Sequence, residues 1–366
     1  MSTIKKAILT GGGRATRLRP ITTTINKHLI PLANQPMIFY AIQKVVDAGV
    51  TEIFINTNPG DKELELAIRK AESRWPGVTI KFFEQTGGPQ GIAHVVKCAE
   101  KFIGDDPFIF YLSDNIILGS IKDIFSKFDK DQLDCVLAFA KVPDPERFGV
   151  PVFNQNGDLV EVVEKPAAPK GNFAVTGIYL YGKKVFFEAF KHIKKSARGE
   201  YEISDVNSYL LKHNKKVGTV EITGWWKDTG KPDDLIHANK LLMEELPWEA
   251  FKIETTVTLP TKQSLSGKID IGVNTKVLGD VKLIGPVIIG SDCLLENCTI
   301  GPNVTIGTGT TIKNATIKDS IIFAGCTIEA TVSMSNSILG EKAAIKKNGA
   351  SGFHRFILGD HTFIEL

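Results

Sequence analysis

Residues 9–31 read Leu-Thr-Gly-Gly-Gly-Arg-Ala-Thr-Arg-Leu-Arg-Pro-Ile-Thr-Thr-Thr-Ile-Asn-Lys-His-Leu-Ile-Pro. The stretch continues a short apolar run, Ala7 to Leu9, that reads as a first buried strand. Gly11, Gly12 and Gly13 let the backbone turn sharply and approach a ligand with no Cβ in the way. Consecutive N–H groups in such a turn bind anions. Arg14, Arg17, Arg19 and Lys27 add cations. A strand, a glycine turn and clustered cations suit a triphosphate, and equally a solvated basic loop after an edge strand. Two phosphate-binding patterns are excluded. No Gly-Lys-Ser/Thr follows at P-loop spacing, and the dinucleotide fingerprint Gly-x-Gly-x-x-Gly is absent.

Outward from this stretch, residues 1–240 alternate short apolar runs with longer amphipathic ones. Strands are predicted at Glu52–Asn56, Val78–Phe83, Phe108–Leu112, Cys135–Ala140, Leu159–Val163 and Gly177–Tyr181. Helices are predicted at Met37–Ala48, Lys62–Ser73, Gly91–Lys101, Ser204–His213 and Asp233–Glu245. Such alternation implies βαβ units and a mainly parallel sheet, an α/β fold of Rossmann-like type. Ligands in such sheets bind beyond the carboxyl ends of the strands, where the glycine turn and Ser113-Asp114-Asn115 fall.

Leu246-Pro247-Trp248 breaks the last helix. From about residue 263 the charge thins, and apolar residues recur every six positions: Ile271, Val277, Leu283, Ile289 and Leu295, then, after a one-residue slip, Ile300, Ile306 and Ile312. Gly272, Gly290, Gly301 and Gly307 follow several of them. A six-residue period fits neither a helix nor a hairpin array and marks a parallel β-helix, each repeat supplying one face of a triangular coil. The expected organisation is a catalytic domain over 1–240, a helix end and linker over 241–262, and a β-helix over 263–366.

The net charge of +3, with both signs interspersed along 366 residues, argues against a nucleic-acid or membrane surface as partner. Five irregularly spaced cysteines read as reduced thiols. The apolar run after Lys5 and Lys6 is too short for a signal peptide, and no run reaches the roughly 18 residues of a membrane helix. A cytoplasmic protein is expected.

Two acidic residues stand out: Asp114, after a buried strand, and Asp228, in Trp225-Trp226-Lys227-Asp228-Thr229-Gly230. Each by itself reads as a turn or cap. A hard cation such as Mg²⁺ takes oxygen ligands at about 2.0–2.1 Å and keeps several waters, so two carboxylates plus phosphate oxygens would suffice. Glu164-Lys165-Pro166 closes an alternating strand, and a Lys is a compact point charge suited to phosphate.

These pieces, in this order, resemble the sugar-1-phosphate nucleotidylyltransferases, within them the long thymidylyltransferase form that carries a left-handed β-helix. Gly12, Gly13, Thr16, Arg17, Leu18, Pro20, Thr22, Lys27 and Pro31 match the family signature, with Ala15 where the family has a third glycine. The family has Gly-Asp-Asn at Ser113-Asp114-Asn115 and Trp-x-Asp-Thr-Gly at Trp226–Gly230; its two aspartates hold Mg²⁺. Glu146-Arg147-Phe148-Gly149-Val150, Asn172–Tyr179 and Lys195–Asp205 resemble further family segments. The resemblance implies a nucleotide site at Gly12, Gly13, Thr16, Arg17, Gln85, Gly91 and Asp114. It implies a sugar-phosphate site at Asn115, Gly149, Glu164, Lys165, Thr176, Gly177 and Trp226, a metal at Asp114 and Asp228, and catalytic cations Arg17, Lys27 and Lys165. Gln85 would face the base, in a loop, Gln85–Ala93, one residue longer than the family pattern.

The implied reaction joins a nucleoside triphosphate, dTTP or UTP, to a hexose 1-phosphate with release of pyrophosphate. A non-catalytic nucleotide-sugar-binding homologue is the alternative. Acyl transfer, which some β-helices support, needs a histidine base, and none occurs between His237 and His354. The basic run Lys191–Arg198 reads as a solvated loop. The β-helix reads as an assembly device for a homo-oligomer, with Cys293, Cys298 and Cys326 as small buried residues.

Overall fold

The computed structural model describes residues 2–13, 15–222, 224–259, 264–346 and 352–366; Arg14 and positions 260–262 of the expected linker lie outside the described residues. Contacts divide the chain into two compact units, residues 1–13 with 38–228 and residues 14–37 with 229–366. The cationic stretch therefore groups with the C-terminal part of the chain, where the sequence placed it in a domain ending at 240.

The first unit contains strands β1 (Lys6–Thr10), β2 (Glu52–Thr57), β3 (Thr79–Glu84), β4 (Phe108–Tyr111), β5 (Asn115–Ile117), β6 (Cys135–Lys141), β7 (Gly149–Phe153), β8 (Leu159–Glu164), β9 (Phe173–Tyr181), β10 (Val217–Glu221) and β11 (Trp226–Asp228). Seven of them form one sheet in the order β10-β6-β9-β4-β1-β2-β3. All neighbours run parallel except β9, which is antiparallel to β4 and β6. Helices α1 (Met37–Asp47), α2 (Glu63–Lys70), α3 (Ile92–Cys98), α4 (Glu100–Ile103), α5 (Lys122–Asp131), α6 (Val185–Phe190) and α7 (Ile203–Lys212) connect them. Burial on both faces explains why Ala7 to Leu9 and Phe108 to Tyr111 read as unbroken apolar runs. Every predicted strand and helix is present within a few residues, except that Gly91–Lys101 is broken into α3 and α4. The β9 strand starts earlier than Gly177, at Phe173. The α5 and α6 helices, the edge strand β10 and the short strands β5, β7 and β11 had no counterpart among the expected elements.

The second unit holds helix α8 (Pro232–Glu245) and a left-handed parallel β-helix. Ile269 to Ile271 pair in parallel with Val287 to Ile289, and these with Val304 to Ile306. The apolar positions read from the six-residue period are the buried stack: Ile271, Val277, Leu283, Ile289, Leu295, Ile300, Ile306 and Ile312 are each at most 1% exposed. Asn274 donates to Asp292, 18 residues on, or three six-residue steps. Asp280 and Asn297 meet 17 residues apart, which is the one-residue slip seen in the sequence. Corners carry Asn or Asp at positive φ (Asn274, Asp292, Asn297, Asn303, Asp319), because their short side chains tolerate the left-handed conformation that a tight corner demands. Cys293, Cys298 and Cys326 are buried free thiols in these coils; burial pushes the last two up to about 12.

The stretch expected as a linker is already coil. Ile253 and Thr258 bridge in parallel to Ile271 and Lys276, and Val257 and Leu259 pack on the stack. A terminal coil has a neighbour on one side only, so its apolar pattern is sparse.

Within the same unit, the segment 15–37 is bound to the β-helix. Ala33 and Asn34, both at positive φ, make the two-residue turn between Pro31–Leu32 and Gln35–Pro36. The Asn34 amide donates to the carbonyls of Ile306 (2.8 Å) and Ile288 (3.4 Å). The buried Asn239 side chain on α8 accepts from the Ala33 N–H (2.7 Å) and from Thr305 of the β-helix (3.4 Å). Thr24 donates to Asp360 at 2.5 Å. A Cβ on Gly359 would lie 2.9 Å from the carbonyl of Pro20, so Gly359 lets the segment approach. An Asn239→Leu substitution leaves the Ala33 N–H buried without its acceptor. It should cost about 1–3 kcal/mol in urea unfolding and speed amide exchange across residues 31–36. Unchanged exchange there would contradict this role.

Candidate active site

The first unit gathers one connected set of polar groups at the ends of its strands. The β4 strand leads through Ser113 to Asp114 and then into β5. The β5 strand pairs antiparallel with β11, setting Asp228 opposite Asn115, the residue after Asp114. The Asn115 amide donates to Asp114 at 2.9 Å. The Tyr111 hydroxyl donates to the Asn115 carbonyl at 2.7 Å; burial first, then the Asp114 charge, pushes that phenol up, so it stays a donor. Asn115, expected at the sugar, is 4% exposed, and its amide is engaged by Asp114. Ser113 is fully buried, its N–H donating to Thr10 (2.9 Å), and its hydroxyl has no partner among the described residues.

Asp228 is met by Arg147 at 3.5 Å, and Arg147 also pairs with Asp144 at 2.6 Å. The neighbouring Phe148 ring meets Trp226 edge-on at 5.2 Å. Trp226 donates its indole N–H to the carbonyl of Thr176 (2.9 Å). The Thr176 hydroxyl itself is spent inside the sheet on Ala138. Gly177, at φ 75, has its would-be Cβ 2.9 Å from Leu112, so only glycine fits.

The β7–β8 hairpin brings Gly149 opposite Glu164, and the Lys165 N–H donates to the Phe148 carbonyl. Glu164 accepts from Ser204 at 2.6 Å and lies 3.3 Å from the Lys165 ammonium and 3.6 Å from Arg198. A Cβ on Gly149 would press on Ser204 (3.1 Å), so the glycine leaves room for that bond. Arg198 grips the buried Glu202 with two donors, at 3.1 and 2.7 Å. Glu164, Lys165 and Arg198 line a cleft of about 730 Å³. The run Lys191–Arg198 is thus solvated at Lys191 but anchored at Arg198. Its composition alone did not separate the two, and the only signal was Glu202 four residues on.

The glycine turn behaves differently from its sequence reading. The Gly13 N–H donates to Asn58 (2.8 Å) and the Gly12 N–H to Asn56 (3.4 Å). These amides meet the side chains at the end of β2. Gly11 lets this packing occur, since a Cβ there would meet Leu64 at 2.5 Å. Ala15, in the family's glycine position, adopts the left-handed conformation (φ 41, ψ 41), at a cost of about 1–2 kcal/mol. Its carbonyl accepts from Thr22 (2.8 Å). Thr16 and Arg17 form a single 3₁₀ turn with Leu18, and Lys27 begins another capped by Asn26; these residues belong to the second unit.

The Gln85 amide donates to the Gly91 carbonyl (3.2 Å) and to His94 (3.1 Å). Gly91, at φ 91, packs its backbone on Tyr201. His94, Arg147, Arg198 and Ser204 are the residues of this set that the sequence motifs did not single out for a role. Asp114 and Asp228 supply oxygen donors only, which suits a hard cation sharing its shell with water and phosphate; among the described residues no group of three or more metal-ligating side chains occurs.

A family model described as "Nucleotidyl transferase" matches residues 6–245, and one described as "GMPPB C-terminal domain" matches residues 267–362. The chain is 33% identical over 363 residues to a glucose-1-phosphate thymidylyltransferase of Streptomyces antibioticus, covering 99% of both chains. It is 31% identical over 242 residues to the UTP–glucose-1-phosphate uridylyltransferase AglF of Haloferax volcanii, covering 66% of this chain and 97% of that one. A solved Bacillus anthracis structure, described as a glucose-1-phosphate thymidylyltransferase, superposes with a TM-score of 0.60 at 37% identity over 66% of this chain and 96% of that chain. Among the described residues no helix is long and apolar enough to cross a membrane. The chain belongs to the nucleotidyl transferase family, as an enzyme of the sugar-1-phosphate nucleotidylyltransferase kind with a C-terminal β-helix.

Proposed function

We propose that the enzyme makes a nucleoside-diphosphate-hexose, dTDP-glucose first among the candidates, from dTTP and a hexose 1-phosphate. The observation that carries this reading is the cleft where Glu164, Lys165 and Arg198 meet, joined to the ladder of Asp228 and Asn115 through Arg147 and Phe148, whose carbonyl accepts the Lys165 N–H. A phosphate oxygen of the sugar phosphate attacks the α-phosphorus of the triphosphate. The new P–O bond forms as the bond to the β-phosphate breaks, and pyrophosphate leaves.

Both reactants are anionic, so the protein's task is to neutralise them and hold them in line. Lys165 and Arg198 would hold the nucleophilic phosphate, and Glu164, pinned by Ser204, would accept from sugar hydroxyls. Arg17 would hold the departing pyrophosphate and Lys27 the α-phosphate. Asp114 and Asp228 would hold a Mg²⁺ ion, which supplies charge neutralisation on the phosphates when bound. Arg147 orients Asp228 from the side. Exposed Leu278, Phe353 and Phe363 on the β-helix support a role in homo-oligomer assembly.

Pyrophosphate release measured across pairs of nucleoside triphosphate and sugar 1-phosphate tests the reading; no release with any pair would end it. Asp228→Asn should lower turnover by a factor on the order of 10²–10³ with the unfolding midpoint unchanged, and near-normal release from that variant would contradict the metal role. Ser204→Ala should raise KM for the sugar phosphate about tenfold with little change in KM for the nucleotide. An equal rise in both would assign Ser204 to the fold and not to the sugar site.

A further inference from the structure

The Gln85 side chain has two chemically opposite ends, and the loop presents only one of them. Its Nε2 donates to the Gly91 carbonyl at 3.2 Å and to His94 Nδ1 at 3.1 Å. Turned over, the amide would set its oxygen against the Gly91 carbonyl oxygen, two acceptors with no proton between them. The Gly91 carbonyl is fixed in turn. The Tyr201 N–H donates to the Gln90 carbonyl at 2.8 Å, and Gly91 has no room for a Cβ against Tyr201. His94 stacks on the Tyr201 ring at 6.0 Å, with Cys98 one turn along at 3.8 Å from Nδ1. Gln85 Oε1 accepts no hydrogen bond among the described residues.

We infer that His94 is a specificity-positioning residue: with the Gly91 carbonyl it locks the Gln85 amide oxygen outward, so that the loop takes a pyrimidine presenting an N–H at ring position 3 and rejects one presenting a lone pair there. The inference rests on the reading of Gln85 as the base-facing residue and adds what orients it. Thymine and uracil carry that N–H; cytosine carries the lone pair and would meet an acceptor with an acceptor. Leaving such a pair unmade costs more than forming it gains, so discrimination resides in the rejection.

The lock requires neutral His94 with its proton on Nε2, because Nδ1 must accept. Burial, then the Lys195 ammonium, holds its pKa below the ordinary imidazole value, which keeps it neutral at neutral pH. The groups facing it are Lys195 and Tyr201 across the loop and Cys98 on its own helix. Protonation at lower pH turns Nδ1 into a donor aimed at the Gln85 donor and favours the flipped amide.

The test compares kcat/KM, and Kd by calorimetry, for dTTP and dCTP in the full-length enzyme. His94→Phe, which keeps a ring on Tyr201 but loses the acceptor, should lower the dTTP:dCTP ratio on the order of tenfold. His94→Gln, which restores an acceptor, should return most of it. Acidification should erode the ratio in the wild type and leave it flat in His94→Phe. Nitrogen NMR at neutral pH should show the Nε2–H tautomer of His94. An unchanged ratio in His94→Phe, or an Nδ1–H tautomer, overturns the inference. Gln85→Ala with an unchanged ratio overturns it together with the base-facing reading. Absence of nucleotide-sugar synthesis from every substrate pair would remove the proposed function alone, since the Kd ratio and the tautomer still decide the role of His94.

Discussion

Three rungs of antiparallel ladder, Asn115–Ile117 against Trp226–Asp228, are the constraint on which the candidate site depends. They lie outside the main sheet and join two parts of the chain that no local pattern connects. By pairing Asp228 with Asn115 they bring the backbone of Asp228 next to the residue that follows Asp114. Arg147 lies against Asp228, and the Asn115 amide donates to Asp114. The same ladder carries Trp226, whose indole is tied to β9 through Thr176.

Around that ladder the first unit repeats one device: a polar side chain of the candidate site held by a neighbouring one. Asn115 holds Asp114, Ser204 holds Glu164, Glu202 holds Arg198, and His94 holds Gln85. Each holder sits on a strand, a helix or a loop anchored to one, so the held group starts near its working geometry. Preorganisation of this kind is where a phosphoryl-transfer enzyme gains most, since the protein has little covalent work to do. Glycines serve the same end at two places. Gly149 and Gly177 lack the Cβ that would push Ser204 and Leu112 away.

The second unit changes the meaning of the β-helix. Its coils bind the stretch 15–37 through Asn34, Asn239 and Asp360. The arginine and lysine that mark the sequence signature are therefore carried on a platform of stacked coils. A 3₁₀ turn is too short to be stable alone, and the segment consists of three such turns and a two-rung hairpin. Its order must come from what it packs against, and here that is the β-helix and α8. A solenoid read only as an assembly device thus also supports the cationic segment.

The amino-acid sequence by itself determined the fold class of both units. Apolar runs of strand length and six-residue spacing are local signals, and burial follows them closely, from Ile8 in the sheet to Ile312 in the coils. It also marked Asp114, which follows a buried strand, and Glu164 and Lys165, which close an alternating one, while Asp228 stood out through the family motif around it. Only the tertiary structure decided which groups meet. It gave the Gly12 and Gly13 N–H groups to Asn56 and Asn58, turned the Thr176 hydroxyl into the sheet, set His94 against Gln85, and joined residues 15–37 to coils some three hundred positions later in the chain (Thr24 to Asp360, |i−j| 336). Periodicity is written in neighbouring residues and can be read from them. A hydrogen-bond partner is chosen by the long-range packing that brings two backbones together, and polar side chains carry no mark of which distant atom they will face.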